Sequence, residues 1–521
     1  MPLTKPVTLG DRRQFLQASA GLGAGALLGS ALGGCGGSDA PPDVLSASAS
    51  DVMAAVKSGA LSAEACVQAL LARCRQHADL NALIFLNDTA ALAAARQIDA
   101  DRVAGRALKP LAGLFIVVKD NINTADMPTT AGTPAMLGAR PKTTAPSLQR
   151  LLDAGAIVLA KANLHELAFG ITSTNFSPFA GAVKNPYDKS RMPGGSSGGT
   201  AVAIASGMVA CGLGTDTGGS TRIPAALCGV VGLRPSVGNG GAERRYQDAG
   251  AVVPVSHTRD TIGPMGRSVA DVALLDSAIT GTERVSALPL QGLRLGVPAA
   301  LWAGLDSGLA AVLAAARKKL ADAGAVLVDM DLPGLLARND QISFQVALHE
   351  PVADMPAYLA ASGLTGLSLQ TIAAQVASPD VKGAFGAILG DVYAGAYPDA
   401  MAVHRPALQK QYADAFSQLA LDALVFPTTV LPAAPIDLVK GSDKVSINGG
   451  TPVDTFLTFI RNTDPGSNAG IPGLSIPAGL TANGLPVGIE IDGPVGSDRK
   501  LLAIGLSVEV ALGRLPKPPL A

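Results

Sequence analysis

Apolar residues follow two different periods in the first half of the chain. Between residues 47 and 76 they recur at helical spacing and are interrupted at Ser58-Gly59, which predicts two helices joined by a turn. Further on, the pattern changes to short continuous apolar runs at 114–118 and 156–160, rich in β-branched residues and bounded by glycine or charged residues. Such runs are typical of strands that are buried on both faces of a sheet.

Helical segments separate these predicted strands. Residues 147–153 precede the second apolar run, and residues 199–206 precede a third strand-like segment at 208–213. Strands that alternate with helices in this way indicate an α/β architecture around a largely buried sheet.

The second half of the chain adds a helical segment and then more strands. Residues 335–419 are rich in Ala, Leu and Gln at helical spacing, which predicts a helical insertion that could cover a pocket. Strand signals return at 423–426, and an Asn-Gly pair between the apolar segments 474–480 and 485–491 predicts a β-hairpin. The sheet is therefore expected to combine distant parts of the chain.

The amino terminus has the pattern of an export signal. Residues 14–38 carry no charge and follow the pair Arg12-Arg13, in a string that resembles a twin-arginine signal, which exports proteins already folded. A membrane anchor is the alternative, since 25 uncharged residues could span about 30 Å of bilayer, but eight of the 25 are glycine. We assign residues 1–38 to an export signal and residues 39–46 to a linker.

The end of this segment also resembles a lipobox. In the sequence LGGC at 32–35, Cys35 would be acylated after cleavage and would attach the protein to a membrane. The alternative is a glycine-rich spacer before ordinary signal cleavage. Either interpretation predicts an exported protein, periplasmic or anchored through Cys35 on the outer side of the inner membrane or on the outer membrane.

Charge and motif spacing exclude several classes of function. The 40 basic and 41 acidic residues leave a net charge of -1, so no basic field exists to attract nucleic acid. The five cysteines and five histidines show no zinc-binding spacing, and Phe169 stands where a metalloprotease motif beginning at His165 would need its second histidine. No phosphate-binding loop is present. We therefore predict no metal and no cofactor, and we interpret His165 as a structural or pocket-wall residue.

Two tracts of glycine and serine could carry chemistry, at 194–199 and 215–220. Both lie between apolar elements, so neither has the surroundings of a linker. In the second tract Ser220 follows Gly218 and Gly219, which lack side chains and would allow successive backbone N–H groups to face one point. That arrangement is suited to a nucleophile beside an oxyanion hole.

A lysine is a candidate base for such a serine, because the sequence does not support a Ser-His-Asp triad. Ser220 has no G-x-S-x-G surroundings and no histidine nearby in sequence. Lys119 directly follows the buried apolar run, and burial favours a neutral amine that can accept a proton. A surface lysine paired with Asp120 is the other interpretation of the same residue.

Three ordered motifs together resemble the amidase signature family. They are VKDN at 118–121, GGSSGG at 194–199 and the run 212–224, and segments 228–235 and 260–265 also fit its pattern. The resemblance implies a single large α/β domain over 47–515, with a mixed β-sheet covered by helices on both faces and the insertion within it.

The same resemblance implies a Ser-Ser-Lys triad. Ser220 would be the nucleophile, Ser196 a bridging residue after a cis peptide bond, and Lys119 the neutral base. The reaction would form an acyl-enzyme that water hydrolyses. The backbone N–H groups of Thr217, Gly218, Gly219 and Ser220 would form the oxyanion hole, and Ser197, Asp216 and Arg222 would support the loop.

The segment from 459 to 477 resembles the branch of indoleacetamide and mandelamide hydrolases, which implies a primary amide of an aryl-substituted acetic acid. The alternative interpretation is that this segment forms the rim of the pocket and carries no information about the substrate. A peptide amidase is the alternative enzyme. A glutaminase subunit of a tRNA-dependent amidotransferase would need cytoplasmic partners, and a non-catalytic amide-binding lipoprotein would lack a triad residue. The family resemblance is also compatible with a homodimer.

Overall fold

A computed structural model describes residues 41–520; the predicted export signal and Cys35 lie outside the described residues. The strands are β1 (Leu83–Leu86), β2 (Phe115–Lys119), β3 (Ile157–Ala162), β4 (Cys211–Asp216), β5 (Val231–Arg234), β6 (Thr261–Gly266), β7 (Arg294–Pro298), β8 (Val326–Met330), β9 (Ala423–Pro427), β10 (Lys444–Val445), β11 (Val453–Asp454), β12 (Gly473–Leu480) and β13 (Pro486–Asp492).

The α-helices are α1 (Ala49–Ser58), α2 (Ala63–Gln76), α3 (Asp88–Val103), α4 (Pro146–Asp153), α5 (Gly198–Ala205), α6 (Arg222–Cys228), α7 (Val269–Thr280), α8 (Ala299–Trp302), α9 (Ser307–Asp322), α10 (Leu335–Asp340), α11 (Ser343–Ala347), α12 (Pro351–Ala361), α13 (Leu369–Ala373), α14 (Pro379–Leu389), α15 (Tyr397–Asp399), α16 (Arg405–Gln418), α17 (Thr455–Ile460), α18 (Asp464–Ala469) and α19 (Asp498–Leu512). Short 3-10 turns occur at Ala78–Leu80, Pro134–Met136, Glu166–Ala168 and Gly241–Glu243, and a π-helical turn at Ala400–His404.

Eleven of these strands form one mixed sheet in the order β1-β3-β2-β4-β6-β5-β12-β13-β9-β7-β8. Strand β2 runs parallel to β3 and β4, whereas β6 pairs antiparallel with both β4 and β5. The predicted hairpin is confirmed, because β12 and β13 pair antiparallel around a turn in which Gly484 adopts a positive φ of 76°. Distant segments thus meet in one sheet, as predicted.

The residues of β2 alternate between the two faces of the sheet. Phe115 and Val117 pack with α2 and α5, whereas Ile116 and Val118 pack with α4 and α7. Side chains of successive strand residues point to opposite faces, so a continuous apolar run must be covered on both. The predicted α/β fold with helices on both faces is confirmed.

Local signals set the helix boundaries near the amino terminus. Ser48 and Ser62 cap α1 and α2 by accepting hydrogen bonds from backbone N–H groups in the first turn. Gly59 ends α1 in the left-handed conformation with φ of 84°, which a residue with a side chain would adopt only at a cost. The two predicted helices and their turn are therefore present.

Residues 335–418 fold into helices that pack together and against the sheet. Within this segment α12, α13 and α14 share a buried apolar cluster with residues of the loops after β2 and β3. None of the helices described between residues 41 and 520 has both the length and the apolar character needed to cross a membrane.

Candidate active site

Lys119 is the last residue of β2, and alternation along the strand directs it to the face on which α5 lies. Its side chain is completely buried, and Nζ lies 2.7 Å from Ser196 Oγ and 2.8 Å from Thr215 Oγ1. Asn121 donates a further hydrogen bond of 3.1 Å to that threonine hydroxyl. The structure therefore brings the predicted base and the predicted bridging serine into direct contact.

Burial lowers the pKa of Lys119 to about 7, although the carboxylates of Asp216 and Asp260 act in the opposite direction. The alternative of a surface lysine paired with Asp120 is wrong. Asp120 instead forms a buried ion pair with Lys161, whose Nζ lies 3.4 Å from its carboxylate. The amine of Lys119 can therefore lose its proton near neutral pH.

The first glycine-serine tract places Ser196 and Ser197 at the start of α5. The Gly195–Ser196 peptide bond is cis. The Ser197 N–H donates to the carbonyl of Ser220 at 3.1 Å, and the Ser197 hydroxyl lies 3.2 Å from the backbone of Thr215. Ser197 therefore joins the two tracts, in keeping with its predicted supporting position.

Ser220 lies where the second tract meets a cavity of about 400 Å³. In the described part of the chain the hydrogen bonds of Ser220 involve its backbone, and its hydroxyl makes none to Ser196. The cavity is lined by Ala168, Phe169, Gly170, Ile171, Thr217, Gly218, Ser220, Val255, Arg259, Ser343, Phe344, Ala347, Leu348, Asp380, Gly383, Ala384, Tyr393, Asp454, Phe456, Leu457, Ile460 and Asp464. Most of these side chains are apolar, and several are aromatic.

One predicted oxyanion-hole donor is already engaged in this structure. The N–H of Gly219 donates to Asp216 Oδ1 at 2.9 Å, and Gly219 is absent from the cavity lining, which includes Thr217, Gly218 and Ser220. The sequence could not separate the four N–H groups, because the direction of each depends on the bend of the loop. Gly219 has a positive φ of 140°, a conformation that a residue with a side chain rarely adopts.

The buried carboxylate of Asp216 holds the loop after β4 in position. Asp216 accepts hydrogen bonds from the N–H groups of Gly219 and Thr221, and its carboxylate lies 3.0 Å from Arg222 and 3.1 Å from Arg234. Burial alone would raise the pKa of Asp216, but the two guanidinium groups outweigh burial and hold this pKa well below its usual range. Arg222 also contacts Glu490 of β13 at 2.6 Å, which ties the loop to the centre of the sheet.

Several residues of this site carried no assigned role in the sequence. Thr215 and Arg234 lie within the motifs, but nothing in the sequence sets them apart from their neighbours, which are equally buried. Asp260 accepts a hydrogen bond of 2.6 Å from the Thr217 hydroxyl and so fixes this part of the loop. Arg259 and Asp464 form a buried ion pair in the cavity wall, between residues 205 positions apart, for which the sequence offers no signal.

A group of ligand-type side chains lies outside this cavity. Among residues 41–520, the ligand atoms of His257, Glu350 and Asp354 lie within 4.8 Å of one another. Glu350 already accepts hydrogen bonds from Ser256, Thr258 and Tyr397. The group therefore holds the helical insertion against the loop before β6.

The amidase family model matches residues 65–502 of this chain. An indoleacetamide hydrolase of Rhizobium radiobacter is 43% identical over 451 residues, which are 86% of this chain and 93% of that protein. A mandelamide hydrolase of Pseudomonas putida is 40% identical over 467 residues, covering 87% of this chain and 89% of that protein. These matches confirm the resemblance on which the site residues were predicted.

A solved structure agrees with both the sequence matches and the fold. The native peptide amidase from Stenotrophomonas maltophilia superposes with a TM-score of 0.76 at 31% identity, covering 91% of this chain and 98% of that chain. The chain therefore belongs to the amidase family and is a hydrolase that acts on amides.

Proposed function

We propose that this protein is an exported serine amidase that hydrolyses a primary amide of an aryl-substituted acetic acid to the carboxylate and ammonia. The observation that carries the proposal is the buried contact of 2.7 Å between Lys119 and Ser196, beside a cavity that is lined by Ser220 and by aromatic side chains. A base and a bridging hydroxyl are thus in contact, and the proposed nucleophile lines an apolar cavity while its carbonyl accepts from the N–H of the residue after the bridging serine.

In the proposed reaction the Ser220 hydroxyl attacks the amide carbonyl carbon. Its proton passes to Ser196 while the Ser196 proton passes to neutral Lys119, so the relay conserves protons. The N–H groups of Thr217, Gly218 and Ser220 would stabilise the oxyanion, each such donor contributing about 3 to 4 kcal/mol in comparable sites. Catalytic hydrogen bonds often tighten only with substrate bound, so we expect substrate to draw Ser220 toward Ser196.

Collapse of the tetrahedral intermediate breaks the carbon–nitrogen bond. The proton held by Lys119 returns through Ser196 to the departing nitrogen, which leaves as ammonia, and the acyl group stays on Ser220. Water then attacks the acyl-enzyme with Lys119 again as the base, which releases the carboxylate and restores the serine.

The cavity favours a small aryl amide over the alternatives. Phe169, Phe344 and Phe456 line it, and its volume of about 400 Å³ lies at the small end of the usual range for ligand pockets. The guanidinium of Arg259 is paired with Asp464, which offsets the positive charge that would attract the α-carboxylate of a glutamine substrate. A peptide amidase is the second candidate, supported by the structural likeness to the Stenotrophomonas maltophilia enzyme.

The test is ammonia release from indole-3-acetamide, mandelamide, aliphatic amides and peptide amides. We expect the aryl acetamides to give the highest kcat/KM, and Ser220→Ala to lose at least about 10⁴-fold in kcat. Ser417→Ala, which removes an exposed hydroxyl at the end of α16, is the control and should keep full activity. Preference for peptide amides would favour the second candidate, and full turnover by Ser220→Ala would exclude the proposed nucleophile.

Export is part of this proposal and is supported by the pattern of residues 1–38. A protein that folds before export would reach the periplasm with its buried site complete. Acylation of Cys35 would attach it to a membrane, and cleavage without acylation would release it.

A further inference from the structure

Asp380 is a charged residue in the wall of the cavity that the proposed reaction does not use. It lies in the first turn of α14, and about a third (34%) of its side chain is exposed. Gly383 and Ala384 follow three and four positions later, so they share one face of the helix with Asp380, and all three line the cavity. A Cβ added at Gly383 would meet no atom within 4 Å, so this face offers a flat, open strip beside the carboxylate.

His165 connects this carboxylate to the first glycine-serine tract. The ring of His165 is completely buried, and its Nε2 lies 3.0 Å from Asp380 Oδ2, although not in line for a well-directed hydrogen bond. The backbone N–H of His165 donates to the Ser196 carbonyl at 3.1 Å. One histidine therefore spans the distance between the bridging serine and Asp380.

The hydrogen bonds of His165 assign its proton. Nδ1 accepts a hydrogen bond of 3.2 Å from the backbone N–H of Ser173, so a ring proton belongs on Nε2, the nitrogen that lies beside Asp380 Oδ2. The ring therefore presents an N–H toward the carboxylate. His165, predicted to be a structural or pocket-wall residue, is buried behind the cavity and contacts Asp380, which lines the cavity.

Asp380 keeps its charge and its capacity to accept hydrogen bonds. Oδ1 accepts from the N–H of Val381 at 2.9 Å, and each carboxylate oxygen can accept a further hydrogen bond. Burial acts to raise the pKa of Asp380, but the contact with His165 and the local hydrogen bonds hold it below its usual range. Two other carboxylates line the cavity, but Asp464 is paired with Arg259, and Asp454 lies 4.0 Å from Lys444 and accepts from the N–H of Leu457. Among the described residues of the lining, Asp380 is thus the carboxylate without a lysine or arginine partner.

The geometry points to Asp380 as a specificity-determining residue that accepts a hydrogen bond from a ring N–H of the aryl amide substrate. This inference rests on the proposed function. The carboxamide would lie at Ser220, the aromatic ring over Gly383 and Ala384, and the ring N–H at the carboxylate. A neutral N–H suits this place because the apolar walls would strip the hydration of an ammonium group at a higher cost.

Binding to the full-length Ser220→Ala protein tests the inference without turnover. Calorimetry would compare indole-3-acetamide with 1-methylindole-3-acetamide and 1-naphthaleneacetamide, which lack the N–H. We expect indole-3-acetamide to bind about 10- to 100-fold more tightly, the usual effect of a hydrogen bond to a charged group. Adding Asp380→Ala should reduce that ratio to near one and leave the Kd for 1-naphthaleneacetamide within about threefold.

Asp88→Ala is a matched control in the same background. Asp88 also lies in the first turn of its helix, and its Oδ1 accepts from the next backbone N–H at 2.9 Å, but it is exposed and far along the chain from the cavity-lining segments. Its replacement should keep the ligand ratio. Asp380→Asn, which keeps an acceptor oxygen without the charge, should give an intermediate ratio.

Several outcomes would overturn the role of Asp380. They are equal binding of the three ligands by the Ser220→Ala protein, or a ratio that survives Asp380→Ala. A third is an Asp380-dependent preference for mandelamide over phenylacetamide, which would place the α-hydroxyl at the carboxylate, and a fourth is a preference for amides with a charged amine. Binding that depends on Asp380, without hydrolysis by the unaltered enzyme, would contradict the proposed reaction and support this inference.

Discussion

Two buried lysines at the ends of neighbouring strands have different surroundings. Lys161 lies beside the carboxylate of Asp120 and donates to three oxygens, whereas Lys119 contacts two hydroxyl groups and, among residues 41–520, no carboxylate. A carboxylate partner stabilises the charged amine, and hydroxyl groups do so less. This difference in hydrogen-bond partners explains why Lys119, rather than Lys161, is suited to act as a base.

Activity should depend on the protonation of Lys119. With its pKa lowered to about 7, the amine becomes protonated below that value and can no longer accept a proton. We expect kcat/KM to be level above about pH 8 and to fall toward tenfold per pH unit below about 7. Circular dichroism at each pH would show that the fold is intact, and a rate that stays flat down to pH 5 would contradict the neutral base.

The carboxylate of Asp216 should be important for stability as well as for the loop. Asp216→Asn would leave Arg222 and Arg234 buried beside an uncharged amide, so we expect a loss of about 3 to 5 kcal/mol in the free energy of unfolding. Urea denaturation measures this change. Asp329→Asn is the control, because its pair with Arg317 is exposed and worth at most about 1 kcal/mol. Equal effects of the two substitutions would contradict the assignment.

Among the helices, α5 lies closer to its neighbours at Gly199 than a residue with a side chain would allow. Gly199 is in its first turn, and its N–H donates to the Asn163 carbonyl at 3.0 Å. A Cβ at this position would overlap the carbonyl oxygens of Asn163 and Ala82. The absence of a side chain at Gly199 therefore allows Ser196 and Ser197 to lie close to β2, the strand that carries Lys119.

A pair of glycine substitutions tests this close approach. Gly199→Ala should lower the melting temperature and activity, because backbone atoms cannot move aside as side chains do. Gly386→Ala in α14 should raise stability by about 0.5 to 1 kcal/mol, since a Cβ there meets nothing within 4 Å and alanine favours a helix. Thermal unfolding and ammonia release measure both, and a Gly199→Ala protein with unchanged stability and activity would be the contrary result.

On the scale of the whole molecule, the sheet order decides which segments meet. Strands β2 and β4 are neighbours in the sheet although about 90 residues of chain separate them, which brings Lys119 to the loop that begins after Asp216. The helical insertion supplies the far wall of the cavity. The site is therefore complete only when distant parts of the chain have come together.

Export should depend on the arginine pair near the amino terminus. Replacing Arg12 and Arg13 together with lysine preserves the charge but removes the feature that resembles a twin-arginine signal, so we expect the protein to remain in the cytoplasm. Fractionation of the native host with an antibody measures its location. Cys35→Ala should remove the site of acylation without stopping export. Unchanged export of the double lysine variant would exclude this route.

The amino-acid pattern was enough to predict the fold class and the family. Continuous apolar runs require a sheet covered on both faces, and the motifs contain Lys119, Ser196 and Ser220 at fixed spacing, so local composition carried that information. The folded chain was needed to show that the Gly219 N–H donates to Asp216, that Asp120 pairs with Lys161, and that Asp380 lies in the cavity wall. Those outcomes depend on the bend of a loop and on contacts between residues far apart in the chain, and the spacing of residues does not encode either.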